Sequence, residues 1–381
     1  MNETDDGGRA ILRTVAVAAV AIAAALFSLT PLATYLDGVA LDKSWRILRN
    51  FGARPAADEV IIVGIDPATV NAIPEPPPLW HQPLARALVR ISAAHPRAIV
   101  LDFPLPDRSF DAIHPGLDRA LFSGLATAVE AGPFVTTLTI DARTRAAKRI
   151  HTPFLALLGE SRLGIGLLAR DDDLVTRRFS LAIPTEDGAF PTIEGRLCRS
   201  LKQQCTDGLI DYGLGAPLVY VSLKSVLENE DRAVLERLFR GRIVLVGEVQ
   251  PYSDRVPVPV NLAGWESGGQ ESPAIVVHAQ ALRTALARSA PADASHAVIL
   301  LLITVAALVV LVNDWKISAA WGVLATAVLL TGVVFALRSG LFIGPSAMVF
   351  AIWTAVAFRC VAAWRARRRG PPGASNFTHP G

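Results

Sequence analysis

The chain has 381 residues, 51% of them hydrophobic and 19% charged, and its mean hydropathy is +0.39. That is too apolar for an ordinary soluble globule and too polar for a bundle lying wholly in a membrane, and it excludes disorder for most of the chain. Lys and Arg total 37 against 34 Asp and Glu, a formal net of +3, so no basic surplus points to nucleic acid, and three cysteines are too few for a disulfide scaffold.

A helix needs about 20 apolar residues to cross a bilayer. Residues 1–13 precede the first such run, which covers 14–36 from Thr14 to Leu36. Three more crowd the far end, at 297–312, 317–337 and 341–363, the last with its apolar run over Leu341–Phe358. None has an ionisable residue at its centre, which argues against proton-relay chemistry in the membrane. Arg9 and Arg13 precede the first run, and Arg365, Arg367, Arg368 and Arg369 fall in the basic tail, 364–381. Four spans with these flanks put both termini in the cytoplasm and the segment 37–295 outside, on a multi-pass plasma or inner membrane protein. Asn313–Lys316 then forms a tight cytoplasmic turn and Arg338–Gly340 an external one. A cleaved signal peptide is the rival account of the first run, but Glu3, Asp5 and Asp6 make a poor basic leader.

Within 37–295, short Val/Ile/Leu runs alternate with helical patterns. Glu59–Asp66 and Arg97–Phe103 read as buried strands ending near an acid. Pro83–His95 reads as a helix with Leu84, Leu88 and Ile91 on one face. Gly116–Gly132 is a second helix, and Pro133–Ile140 a third strand. Leu163–Arg170 and Val175–Glu186 read as two strands joined by the acidic turn Asp171–Asp173, and Pro191–Leu201 resumes helical spacing. Gly241–Glu248 is the last strand and Ala274–Ser289 the last helix before the membrane runs. The order implies an α/β domain with a mostly parallel sheet. The Pro74–Pro78 run reads as an extended surface loop.

Asp66 and Asp102 end strands expected to be neighbours, and ligands of parallel sheets bind beyond the carboxyl ends of the strands. The two acids can share a proton, bind a cation or accept from a ligand; alternatively each caps the turn that follows. Ile65–Thr69 is similar to the strand end of aspartyl-phosphate enzymes, but Ala68 stands where their second acid belongs. Asp171, Asp172 and Asp173 with Arg177 and Arg178 form either a local ion-pair turn or a ligand loop. Trp80 is either an exposed aromatic platform or a cover for the sheet edge. His278 opens a helix, in a structural or a pH-sensing role. No pair of the seven histidines has helical metal-ligand spacing, and no P-loop, G-x-S-x-G or H-E-x-x-H occurs, so neither a metal nor a cofactor is expected. An oxidising compartment permits a disulfide between Cys198 and Cys205; two unpaired thiols are the alternative.

In their order, Val60–Asp66 (VIIVGID), Leu79–Leu88 (LWHQPLARAL), Ala98–Phe103 (AIVLDF), Asp171–Arg178 (DDDLVTRR), Phe239–Glu248 (FRGRIVLVGE) and Ala274–Leu282 (AIVVHAQAL) make the chain resemble the CHASE domains of the second type. These are cyclase- and histidine-kinase-associated sensory extracellular domains. The layout of one span before the domain and three after it also looks like the family. Where the family tends to carry a glycine in its acidic turn this chain has Leu174, and Ala274 stands near a second family glycine. The resemblance implies an extracytoplasmic sensor rather than an enzyme, taking an unknown small-molecule or envelope ligand. Its candidate ligand-binding residues are Asp66, Asp102, Trp80, Asp173, Arg178 and His278. Family members commonly continue into a cytoplasmic cyclase or kinase, whereas 364–381 is too short to fold, so the expected effector is a separate protein. It is reached through the spans or the basic tail. Small residues at Gly322, Ala325, Gly332 and Ala347 allow close helix approach within the chain or in a homodimer. A hydrolase using strand-end carboxylates and a structural envelope protein are the rival classes.

Overall fold

The computed structural model describes residues 3–57, 59–141, 143–144, 146–312 and 315–368. It divides into two compact units, one built from 45–291 and the other from the two flanks of that segment.

In the 45–291 unit a six-stranded sheet is made of β1 (Val60–Ile65), β2 (Ala98–Asp102), β3 (Phe134–Leu138), β4 (Leu163–Ile165), β5 (Tyr220–Ser222) and β6 (Ile243–Glu248). Its order is β4-β3-β2-β6-β1-β5, and every pairing is parallel. All six residues of β1 are buried, as a sheet covered on both faces requires. Ile61, Val63 and Ile65 join Leu84, Leu88 and Ile91 of the His81–Ala93 helix and Leu121 and Leu125 of the Leu117–Ala131 helix in one core. Each such side chain contributes about 1.5–3 kcal/mol by leaving water. The Ala274–Ala287 helix covers β1 and β6, and the Ile193–Ser200 helix covers β3 and β4.

Three expectations change. β6 lies between β1 and β2, so Asp66 and Asp102 do not end adjacent strands. A strand contributed from far along the chain leaves no local mark of where it inserts. The expected strand Val175–Glu186 is instead two, with Arg178–Phe179 paired to Gly208–Leu209 and Ala182–Thr185 paired to Gly188–Pro191. The break lies at Ser180–Leu181, where the Leu181 N–H donates to the Asp207 carboxylate at 2.7 Å and the Ser180 carbonyl accepts from Thr192 Oγ1 at 2.6 Å. Leu163–Arg170 is a strand only as far as Ile165. Cys198 and Cys205 are joined in a disulfide, with their Cα atoms 6.3 Å apart, which ties the Ile193–Ser200 helix to the loop after it.

The flanking unit holds the apolar helices. Among the described residues two helices are long and apolar enough to cross a membrane, within Ala319–Arg338 and Ser346–Arg365. A third span arises if Thr14–Ser28 and Pro31–Asn50, bent by 80°, are counted as one. The expected continuous helix over Thr14–Leu36 is thus broken. Thr30 Oγ1 accepts from Ala33 N at 3.2 Å as a new cap, and Pro31 has no N–H to continue the first helix. The His296–Val312 helix has 17 residues, about 25 Å at 1.5 Å per residue, short of the roughly 30 Å hydrocarbon core. The last helix starts at Ser346 rather than Leu341, after Gly344–Pro345; its first N–H donates to Asp37 Oδ1 at 2.8 Å. Ala24, Ala307, Ala351 and Ala355 are fully buried where these helices meet. Ala347 and Ala325 pack in the same cluster. A Cβ on Gly322 would lie 2.8 Å from Val356, whereas Gly332 has open space around it. Asn313 and Asp314 of the expected turn, and 369–381 of the basic tail, lie outside the described residues.

The crossing of the His81–Ala93 and Leu117–Ala131 helices depends on Gly124, where a Cβ would lie 2.5 Å from Ala85 Cα. Gly124→Ala is expected to cost about 1–3 kcal/mol by forcing the helices apart, read as a lowered melting temperature of the full-length protein in detergent.

Candidate functional site

Because the sheet is covered on both faces, its polar residues gather at the strand ends. Beyond the carboxyl ends of β2, β3, β4 and β6 lies a cleft of about 930 Å³ lined by Asp102, Leu138, Ile165 and Glu248 among others. Asp102 ends β2 beside β6, with Gly247 as its register partner, so Asp102 and Glu248 approach the cleft from neighbouring strands. Asp102 Oδ1 accepts from Thr137 Oγ1 at 2.6 Å, and Glu248 accepts from the Ser253 hydroxyl. Asp254 supplies a third carboxylate from the loop after β6. Its backbone is left-handed at φ 49°. Its side chain keeps contact with solvent, yet desolvation by the surrounding cleft first, then repulsion from Asp102 and Glu248, hold its pKa up at about 6, with His278 and Arg170 pulling the other way.

Behind this floor His278 and Glu194 form a buried contact, Nδ1 to Oε1 at 2.6 Å. Burial opposes the imidazolium, but Glu194, helped by Asp102 and Asp254, outweighs it and raises the His278 pKa to about 9. Glu194 lies in the first turn of its helix, where the helix dipole favours an anion. His278 Nε2 is buried and has no hydrogen bond.

One wall of the cleft is apolar. Trp80 is 1% exposed, its ring stacks on Phe103 at 6.4 Å, and its Nε1 donates to the Glu75 carbonyl at 2.6 Å. Trp80 is therefore a wall and not an exposed platform. His81 beside it is also buried and lines the cleft. Neither of its ring nitrogens is hydrogen-bonded, and Nε2 stands 3.6 Å from Asp118. Burial lowers its pKa, against the pull of Asp118.

Of the six residues singled out from sequence, Asp102 and Trp80 line the cleft, and His278 stands behind its carboxylates. Asp66 is not part of the lining. It caps the helix Pro67–Ala72, accepting from Thr69 N at 2.8 Å and Thr69 Oγ1 at 2.6 Å, and it also accepts from Ser222 Oγ at 3.0 Å. Asp173 pairs with the buried Arg177 at 2.6 Å, and Asp171 pairs with it at 2.9 Å. Arg178 opens a short strand. None of these three lines the cleft. Leu174 in the acidic turn is left-handed at φ 67°, the conformation for which glycine is suited. Glu248, Asp254, His81 and Glu194 were missed. Glu248 had the same signal as Asp102, an acid closing an apolar strand, whereas Asp254 lies in an irregular loop with no local pattern.

Relief of the left-handed leucine is worth about 1–2 kcal/mol, less about 0.4–1 kcal/mol for the added freedom of the unfolded chain. Leu174→Gly is therefore expected to raise the melting temperature by a few degrees. The His278 pKa stands above its ordinary 6.5, so its contribution to stability is complete below about pH 6.5 and is lost as pH rises through about 9. Asp254, raised from 3.8, loses its contribution earlier, as pH rises through about 6. A decline of order 3 kcal/mol across the upper window is expected. The double variant Glu194→Gln, His278→Gln is expected to flatten that upper limb in melting temperatures taken against pH.

Residues 16–312 match the sequence model of the CHASE2 domain. No curated protein and no solved structure matches the chain. With the matched stretch covering most of its length, the chain belongs to the CHASE2 family: it is a membrane protein carrying an extracytoplasmic sensory domain.

Proposed function

We propose that the protein is a membrane-anchored receptor whose ligand, a small molecule or an envelope component, binds in the cleft beyond β2, β3, β4 and β6. The single observation that carries this reading is the cleft itself, placed where open parallel sheets bind ligands and combining an apolar wall with convergent carboxylates. Asp102 and Trp80 contact the ligand, with Glu248, Asp254 and His81 beside them. His278 holds the carboxylate floor in place from behind, and the disulfide Cys198–Cys205 fixes the helix that carries Glu194.

Ligand binding biases one of two arrangements of the Ala274–Ala287 helix, which leads along the chain into the His296–Val312 helix. Only a ligand that prefers one arrangement passes a signal. The signal runs through the membrane helices to a cytoplasmic effector on a separate chain, within a multi-pass protein with both termini in the cytoplasm. The small-residue seam at Ala24, Ala307 and Ala351 suits helices that slide by small steps, within one chain or in a homodimer. The hydrolase reading loses its proposed pair, since Asp66 caps a helix and only Asp102 lines the cleft.

The test is the melting temperature of the full-length protein in nanodiscs against fractionated small molecules of the extracytoplasmic medium. At least one fraction is expected to raise it saturably, as binding to the folded state requires. Leu167→Trp, which fills the cleft from its half-exposed rim, is expected to abolish the shift. A shift unchanged in Leu167→Trp, or no shift from any fraction, contradicts the reading.

A further inference from the structure

We propose that the cleft is selective for an organic monocation, a primary ammonium or amidinium head on an apolar body, with the head seated on Asp102, Glu248 and Asp254. This rests on the receptor reading and narrows its ligand class.

The charge of the floor comes first. Four carboxylates line one cleft: Asp107 is paired with Arg108, and of the other three Asp254 lies in the fields of both Asp102 and Glu248. Asp102 and Glu248 receive hydroxyl donors from Thr137 and Ser253, neutral partners that bring no counter-charge. The nearest buried cation, His278, is matched by Glu194 at 2.6 Å, so that pair adds no net charge. Arg170, the remaining cation in the field of Asp254, is exposed and weakly felt. The floor keeps a net negative charge that a bound cation would neutralise.

His81 is the independent pointer. It is 2% exposed, lines the same cleft, and neither ring nitrogen makes a hydrogen bond. Burial lowers its pKa against the pull of Asp118 and the Leu79 carbonyl; both of these neighbours are acceptors, so the single N–H of the neutral ring serves at most one of them and the lone pair of the other nitrogen has no donor. A buried polar group left without a partner costs stability, and a ligand N–H supplies that partner.

The shape of the charge favours an organic head over a metal ion. Among the described residues no three His, Cys, Asp or Glu converge closely enough to hold a metal. An ammonium with three divergent N–H bonds, or a planar amidinium, spans separated acceptors that a point ion cannot share. Phe110, Leu121, Ile140 and the Trp80–Phe103 stack then receive an apolar body, and about 930 Å³ suits a drug-sized molecule. Lys148 and Arg149 at the exposed rim disfavour a second positive charge, so a monocation is favoured over a polyamine.

The experiment uses the full-length protein in nanodiscs and calorimetric titration with phenethylamine, tryptamine and benzamidine. Phenylethanol, phenylacetate and spermidine are the comparators. At least one monocation is expected to bind saturably and to outcompete its neutral and anionic counterparts. Asp254→Asn, which tolerates the left-handed backbone, and Glu248→Gln are each expected to weaken it at least about tenfold while the ligand-free melting temperature holds. Affinity is expected to rise from about pH 5 to about pH 7 as Asp254 ionises. No saturable monocation binding, or equal binding to the Asn and Gln variants, overturns the proposal. Binding of phenylacetate or phenylethanol that Leu167→Trp abolishes overturns the cation assignment and leaves the receptor reading standing. Failure of every compound and every fraction sinks both.

Discussion

A parallel sheet covered by helices on both faces has no exposed surface of its own, and everything polar it presents must sit at the strand ends. That constraint organises this protein. All six residues of β1 are buried, and β6 is buried up to its final glutamate. The acids Asp102 and Glu248 occupy the last positions of adjacent strands. With the strands all running one way, the two acids meet at one edge. The two strand-end acids follow from strand direction combined with helix coverage, while connecting segments that carry Phe103, Phe110, Ile140, Lys148 and Asp254 complete the cleft.

The buried contact between His278 and Glu194 is the second element of the design. Desolvating two charges is costly, and such a pair adds little net stability compared with an apolar pair of the same shape. What it supplies here is position. His278 belongs to the helix over β1 and β6, and Glu194 to the helix over β3 and β4. The contact joins the two helices on one face of the sheet, directly behind the carboxylates of the cleft. The carboxylates Asp102 and Asp254 act on His278, and so on the Ala274–Ala287 helix that carries it.

The sequence was informative wherever the signal was local. Five of the sheet's strands, β4 only in its first residues, and four helices of the 45–291 unit were legible because apolar runs and helical spacing are properties of neighbouring residues, whereas the short helices Pro67–Ala72, Thr152–Leu158, Leu223–Glu228 and Arg232–Phe239 were not; the helix over Gly116–Gly132 lies within its two glycines as expected. The acid at the end of β2 was legible for the same reason. Topology was not legible, since the insertion of β6 between β1 and β2 is a pairing across many residues. The roles of Asp66 and Asp102 therefore separated. Both close apolar strands, but Asp66 finds Thr69 and Ser222 within reach and becomes a cap, while Asp102 faces the cleft. The bend after Ser28 was hidden by the hydrophobicity of the run around it, even though Thr30 and Pro31 are a cap and a break in plain sight.

The central claim is that the cleft opens on the outer side of the membrane. Leu167 lies on its rim, 40% exposed, and Cys360 is the one other free thiol among the described residues. Leu167→Cys in a Cys360→Ala background, treated with a membrane-impermeant maleimide on intact cells or spheroplasts, measures this directly. Labelling without permeabilisation is the predicted result; labelling that appears only after the inner membrane is opened contradicts the account.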